Sequence, residues 1–183
     1  MKTIAFVTQK GGTGKTTLAA SLAVAAQEAG ERVFLIDLDP QASLTTWGDH
    51  REAETPPVDK VAPGQLAAAL TGLAKDGYTL AIIDTAGIDS PASSAAMTVA
   101  DLSLIPARPS ALDIQAARPT MTALTRLAKP FAFVLNACPP GRSPRATDAA
   151  KALALLNVLA EPFIVLRADH MDALALGLGV TER

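Results

Sequence analysis

Short apolar runs rich in Val, Ile and Ala alternate along the chain with longer stretches rich in Ala and Leu. Residues 3–8 form a β-branched run that stops at a glycine cluster and reads as a buried strand. Residues 15–29 follow as a helix closed by Gly30, because a helix commonly ends on a left-handed residue that glycine adopts without penalty. Residues 33–36 make a second strand, whose unbroken apolar character suits a parallel sheet covered on both faces. The polar, Pro-rich residues 48–63 predict a surface loop. Residues 64–75 predict a helix, 80–83 a third strand, and 91–100 a short helix opened by Ser90-Pro91. The alternation continues with strands at 102–105, 131–135 and 163–166 and helices at 112–128, 146–159 and 169–176. Strands that alternate with helices require right-handed crossovers. The predicted fold is therefore α/β, a doubly wound and mostly parallel sheet with helices on both faces, in a single domain spanning 1–183.

Composition narrows this picture. Of 183 residues, 49% are hydrophobic and 19% charged, enough apolar surface for a sizeable core and too much for a disordered chain. A lone cysteine, Cys138, excludes an internal disulfide or a cysteine metal cluster within one chain, and His50 and His170 lack ligand spacing. No apolar run approaches the roughly 18 residues of a membrane span, and the N-terminal residues lack the series of a signal peptide. The expected setting is a reduced cytoplasm.

The chemistry gathers where the predicted strands end. Between the first strand and first helix lies Lys10-Gly11-Gly12-Thr13-Gly14-Lys15-Thr16-Thr17. Glycines let backbone N–H groups approach a phosphate, and the helix N-terminus adds partial positive charge. Lys15 can reach the β- and γ-phosphates and the Thr16 hydroxyl can bind Mg²⁺, so Gly11 through Thr17 form a candidate phosphate cradle for ATP. Asp37 and Asp39 follow the second strand, and Asp84 and Gly87 the third. In a parallel sheet all of these share the cradle's edge. Taken singly, any such aspartate reads more readily as a cap or turn former; it is the three together beside the cradle that favour a site.

A standard P-loop has glycine where this chain has Gln9, and carries no lysine at the position of Lys10. Lys-Gly-Gly-x-Gly-Lys-Thr resembles the deviant P-loop of the ParA/MinD-type ATPases, and the small ParA-type partition ATPases in particular. The resemblance implies that Lys10 crosses a dimer interface to the partner's phosphates. It implies that Asp84 is the Walker B aspartate, that Asp39 of the Asp-Pro-Gln motif positions the attacking water, and that Asp37 supports the Mg²⁺ shell. Gly87 then offers its N–H to the γ-phosphate, and Pro109–Asp113 closes over the nucleotide. Asn136 sits where the family contacts adenine, although an Asn that merely ends a strand is the competing reading.

Charge is uneven. Residues 1–107 hold seven Lys and Arg against twelve Asp and Glu, whereas 108–151 hold seven against two. The resemblance turns this basic stretch into a surface for nonspecific double-stranded DNA, with Arg142, Arg145 and Arg167 as contacts; solvated arginines are the plainer alternative. It further implies a homodimer on ATP binding, a ParB-like centromere-binding partner that stimulates hydrolysis, no membrane association, and a nucleoid-associated cytoplasmic location. Relatives usually carry a further helix after the segment resembling 177–182, so that helix is expected to be either missing or dispensable here. MinD-like membrane cycling and positioning of another cargo are the alternatives within the family. The lone cysteine argues against an iron–sulfur reductase on the same scaffold.

Overall fold

The computed structural model describes residues 1–183. Seven strands form one sheet: β1 (Lys2–Phe6), β2 (Val33–Asp37), β3 (Val58–Lys60), β4 (Leu80–Asp84), β5 (Leu102–Ala107), β6 (Phe131–Leu135) and β7 (Leu159–Ala160). Their spatial order is β3-β2-β4-β1-β5-β6-β7, and every pairing is parallel. Six α-helices connect them, α1 (Lys15–Glu28), α2 (Ser43–His50), α3 (Leu66–Lys75), α4 (Pro91–Val99), α5 (Ala111–Arg126) and α6 (Pro144–Ala154), and α7 (Ala168–Ala175) follows β7.

Side chains alternate across the sheet, so each strand feeds two cores. Phe6, Leu35, Leu80 and Ile82 pack with Ala19, Ala20 and Ala23 of α1 and with Leu44 and Trp47 of α2. Ala5, Val7, Ile36, Ala81, Ile83, Ile105 and Phe133 pack with α3, α4, α5 and α6 on the opposite face. Small alanines on α1 allow that helix to lie close against the sheet, which seats the loop before it against the strand ends.

The expected fold class holds, with three local differences. Residues 48–63 are not all loop: α2 reaches His50, and 58–60 form the edge strand β3. Val58-Asp59-Lys60 is too short and too polar to show as an apolar run, and it gains order from pairing with Leu35–Asp37. Helix α6 stops at Ala154, where Leu155 and Leu156 turn the chain into β7. Residues 163–166 are not a strand of the sheet. β7 ends at Ala160, and after Pro162 the chain runs parallel to residues 135–138 through three backbone hydrogen bonds and one bridge, Cys138 to Val165, too short a pairing to make a strand of the sheet. No helix is long and apolar enough to cross a membrane.

Sheet register positions the chemistry. Asp37 lies beside Asp84, and Asp84 beside Phe6, all at the C-terminal ends of their strands. Thr85 locks this corner by donating its hydroxyl to the Phe6 carbonyl at 2.8 Å.

Candidate functional site

The loop between β1 and α1 turns on Gly12 (φ 71°) and Gly14 (φ 92°), both in the left-handed region that glycine enters freely. Gly14 is the N-cap of α1, and no side chain caps that helix. Its first N–H groups are therefore uncapped by protein side chains, where an anion is stabilised by donors and helix dipole together. A Cβ on Gly14 would collide with the Asn136 amide, which itself donates to the Thr13 carbonyl at 2.8 Å. Asn136, just after β6, ties the loop down from the opposite half of the sheet. It also lines a hollow of about 180 Å³ with Gly12, Thr13, Thr17 and Arg167.

Gly87 makes a second close approach. A Cβ there would lie 2.7 Å from the Gly11 nitrogen and Cα, so the loop after β4 packs backbone to backbone against the cradle. This places Gly87 at the cradle, as its sequence position implied.

Thr16 and Asp84 meet directly: the hydroxyl donates to Oδ2 at 2.5 Å. Asp84 is 0% exposed, and its Oδ1 has no hydrogen-bond partner. Burial pushes its carboxyl up to about 7, and the Thr16 hydrogen bond and Lys15 charge only partly oppose this, while Asp37 and Asp39 add to it. Lys15 is also buried. Burial lowers its pKa against the pull of Asp84 and Asp39. A buried lysine and a buried, half-satisfied carboxylate are costly unless they meet further charges. The buried Thr13 hydroxyl is likewise unpartnered. Phosphate and a divalent cation fit these needs: phosphate oxygens would face Lys15 and the uncapped amides, and the cation would face Asp84 and Thr16. No group of three or more His, Cys, Asp or Glu converges as a metal site of its own.

The two aspartates after β2 differ in position. Asp37 is buried and fully engaged: Oδ1 accepts from the Asp39 N–H at 2.9 Å, and Oδ2 accepts from the Thr45 N–H and hydroxyl, both at 2.9 Å. It caps α2, whose own N-cap Ala42 supplies no side chain, and it shapes the Asp39 turn. Asp39 is half-buried, its Oδ1 accepting from Gln41 N–H at 2.9 Å. It borders a hollow of about 430 Å³ with Lys60, Ala86, Ile88 and Pro91.

Lys10 does not join these carboxylates. Its ammonium pairs with Asp113 Oδ2 at 2.7 Å, and Arg108 Nε donates to Oδ1 of the same residue at 3.1 Å. Ser110, the N-cap of α5, donates to Asp113 as well and accepts from its N–H. Burial pushes the Asp113 carboxyl upward, but the hydrogen bonds from Lys10, Ser110 and Arg108 outweigh it and leave the group below the usual range. Asp113 as the partner of Lys10 was missed from sequence, yet Ser110-x-x-Asp113 is a helix-start spacing that flags it.

Arg142, Arg145 and Arg167 are all exposed, and none forms an ion pair. They do not make one patch by their hollows. Arg167 lines the hollow beside the cradle, whereas Arg145 borders a separate one with Ser110 and Ala111.

The chain is similar to known nucleotide-binding proteins. Residues 4–60 match the CobQ/CobB/MinD/ParA nucleotide binding domain. Maintenance of carboxysome distribution protein A of Gloeobacter kilaueensis is 37% identical over 122 residues, covering 62% of this chain and 52% of that protein. Protein virC1 of Rhizobium radiobacter is 30% identical over 154 residues, covering 78% of this chain and 67% of that one. The chain spans about half the length of the first curated relatives it matches. Among solved structures, apo McdA of Cyanothece superposes with a TM-score of 0.83 at 21% identity, over 100% of this chain and 92% of that one, a likeness of fold.

Proposed function

This chain belongs to the ParA/MinD family of P-loop nucleotide-binding proteins, and we propose that it is a Mg²⁺-dependent partition ATPase that works as an ATP-bound homodimer. The observation that carries the reading is the pairing of a buried, half-satisfied Asp84 with Thr16, at the mouth of a glycine cradle whose helix lacks a side-chain cap.

The residues divide the work as follows. Gly11 to Thr17 and Lys15 bind the phosphates, with Gly87 approaching from the β4 side and Asn136 holding the loop's shape. Thr16 and Asp84 would hold Mg²⁺, with Asp37 supporting them from the adjacent strand, and the ion would supply charge neutralisation to the phosphates. Asp39 orients the water that attacks the γ-phosphorus in line with the departing ADP oxygen, and Asp37 fixes the turn that presents it. Lys10 completes the site of the partner subunit, where a second cation offsets charge developing in the transition state. In this structure Lys10 is held by Asp113 of its own chain, so it would have to exchange that partner for phosphate on dimerisation.

The dimer binds double-stranded DNA nonspecifically through arginines that include Arg142, Arg145 and Arg167, and a ParB-like partner stimulates hydrolysis and releases it. The location is the nucleoid-associated cytoplasm, without a membrane stage. A second reading, in which the cargo is a protein compartment, draws support from the identity to a protein named for carboxysome distribution. Gel shifts of plasmid DNA with ATP, ADP or no nucleotide test the DNA reading. Retention with ATP alone, weakened by Arg142→Ala and Arg145→Ala with a salt slope smaller by about one per lost phosphate contact, is expected. Nucleotide-independent or absent binding contradicts it.

A further inference from the structure

Outside the cradle, the most completely built polar cluster surrounds Arg51. Its side chain is only 5% exposed. Nε donates to the Thr55 carbonyl at 2.8 Å, and one terminal nitrogen donates to the Gly177 carbonyl at 2.9 Å and to Glu182 Oε2 at 2.8 Å. The other terminal nitrogen donates to Glu182 Oε1 at 2.8 Å, and the guanidinium stacks 5.3 Å from the Trp47 ring centre. Glu182 in turn accepts from Gly179 N–H at 2.7 Å, and Trp47 Nε1 donates to the Leu178 carbonyl at 3.1 Å. Desolvating an arginine this far costs free energy that a surface clamp would avoid, and a bidentate carboxylate with backbone acceptors offsets it only in one geometry. Nothing in the nucleotide chemistry uses the cluster.

Its placement relative to α1 and α2 is what matters. Arg51 is the C-cap of α2, and the N-terminus of α2 is held by Asp37 through Thr45. The segment 177–182 reaches the end of α2 so closely that a Cβ on Gly177 would lie 2.5 Å from the Arg51 nitrogen. A Cβ on Gly179 would lie 2.5 Å from Val24 Cβ on α1, the helix that begins with Lys15 and Thr16. One short segment therefore bears on both the helix that carries the cradle and the helix that anchors the Asp39 turn.

We propose that Arg51 and Glu182 are positioning residues for hydrolysis: with segment 177–182 they brace α2 against α1 and so fix Asp39 relative to Lys15 and Thr16. The consequence for turnover rests on the ATPase reading above; the brace itself does not. Because Arg51 and Glu182 meet at the end of α2, and the contact with α1 is at Val24, about two turns from Lys15 and Thr16, the brace governs the chemical step more than ATP binding.

Two readouts test it on the full chain, in Arg51→Ala and in the milder Glu182→Gln. Hydrogen exchange of the nucleotide-free protein should quicken at the Asp39 and Thr45 amides by roughly tenfold while amides of β1 and β4 stay protected. Turnover should fall by roughly fivefold or more with affinity for a fluorescent ATP analogue within about twofold of the parent, and Glu182→Gln should lie between parent and Arg51→Ala. If exchange quickens at 39–45 but the parent protein has no ATPase activity, the brace stands and the ATPase reading fails. Unchanged exchange at 39–45 in a folded Arg51→Ala or Glu182→Gln protein overturns the brace. So does a loss of ATP affinity that accounts for the whole loss of turnover.

Discussion

Gly87 and Asp113 show how single residues hold the cradle and its extra lysine in place. Gly87 carries no side chain because the Gly11 backbone occupies the space where a Cβ would go. Gly87→Ala should therefore push the cradle out of shape and weaken binding of a fluorescent ATP analogue by more than about tenfold, while the thermal midpoint changes little, because the strain falls on a surface loop. Asp113 gathers Lys10, Arg108 and Ser110 around one buried carboxylate. Its folded pKa lies below the ordinary value, so its stabilisation is fully present above the unfolded carboxylate's pKa, near 4, and is lost as pH falls through the lower folded value. Asp113→Asn should cost on the order of 1–3 kcal/mol in urea unfolding at pH 7, and the gap to the parent protein should close as the pH drops below about 4. A gap that persists or widens in acid would mean that the hydrogen-bonded shape, not the charge, is what stabilises.

At the scale of elements, α2 is where sequence and structure part most clearly. The apolar strands and the Ala-rich helix after the cradle were legible, because local periodicity and burial say the same thing there. The cradle was legible too, since its spacing dictates its backbone. Helix α2 and strand β3 were not. Ser43–His50 starts on Ala42, which offers no side-chain cap, so the usual start signal is absent; the cap comes from Asp37, eight residues before Thr45. The same distance effect hid the Lys10–Asp113 pair, 103 residues apart in sequence. Residues 163–166 looked like a strand, and they do pair beside residues 135–138, but only through one bridge and three backbone hydrogen bonds, fewer than an element of the sheet needs. Trp47 anchors α2 at 1% exposure between sheet and segment 177–182. Trp47→Ala should destabilise the protein by about 3–5 kcal/mol, read as a lower denaturant midpoint. A loss under about 1 kcal/mol would show that α2 is not part of the cooperative core.

Across the whole molecule, parallel register brings the cradle, Asp84, Asp37 and the Asp39 turn to one edge of the sheet, while Lys10 reaches towards α5 and away from that cluster. The proposed role of Lys10 needs a second copy of the chain. Mixing two inactive variants tests that need most directly. Lys10→Ala keeps its own Asp39 but has no lysine to lend; Asp39→Ala lends its Lys10 but cannot orient water. Each alone should hydrolyse ATP at background rate. In an equal mixture half the dimers are mixed and one of their two sites is complete, so turnover should recover to about a quarter of the parent protein's. If the mixture stays at background although mixed dimers form, or if Lys10→Ala alone turns over ATP like the parent, then Lys10 does not act across the interface.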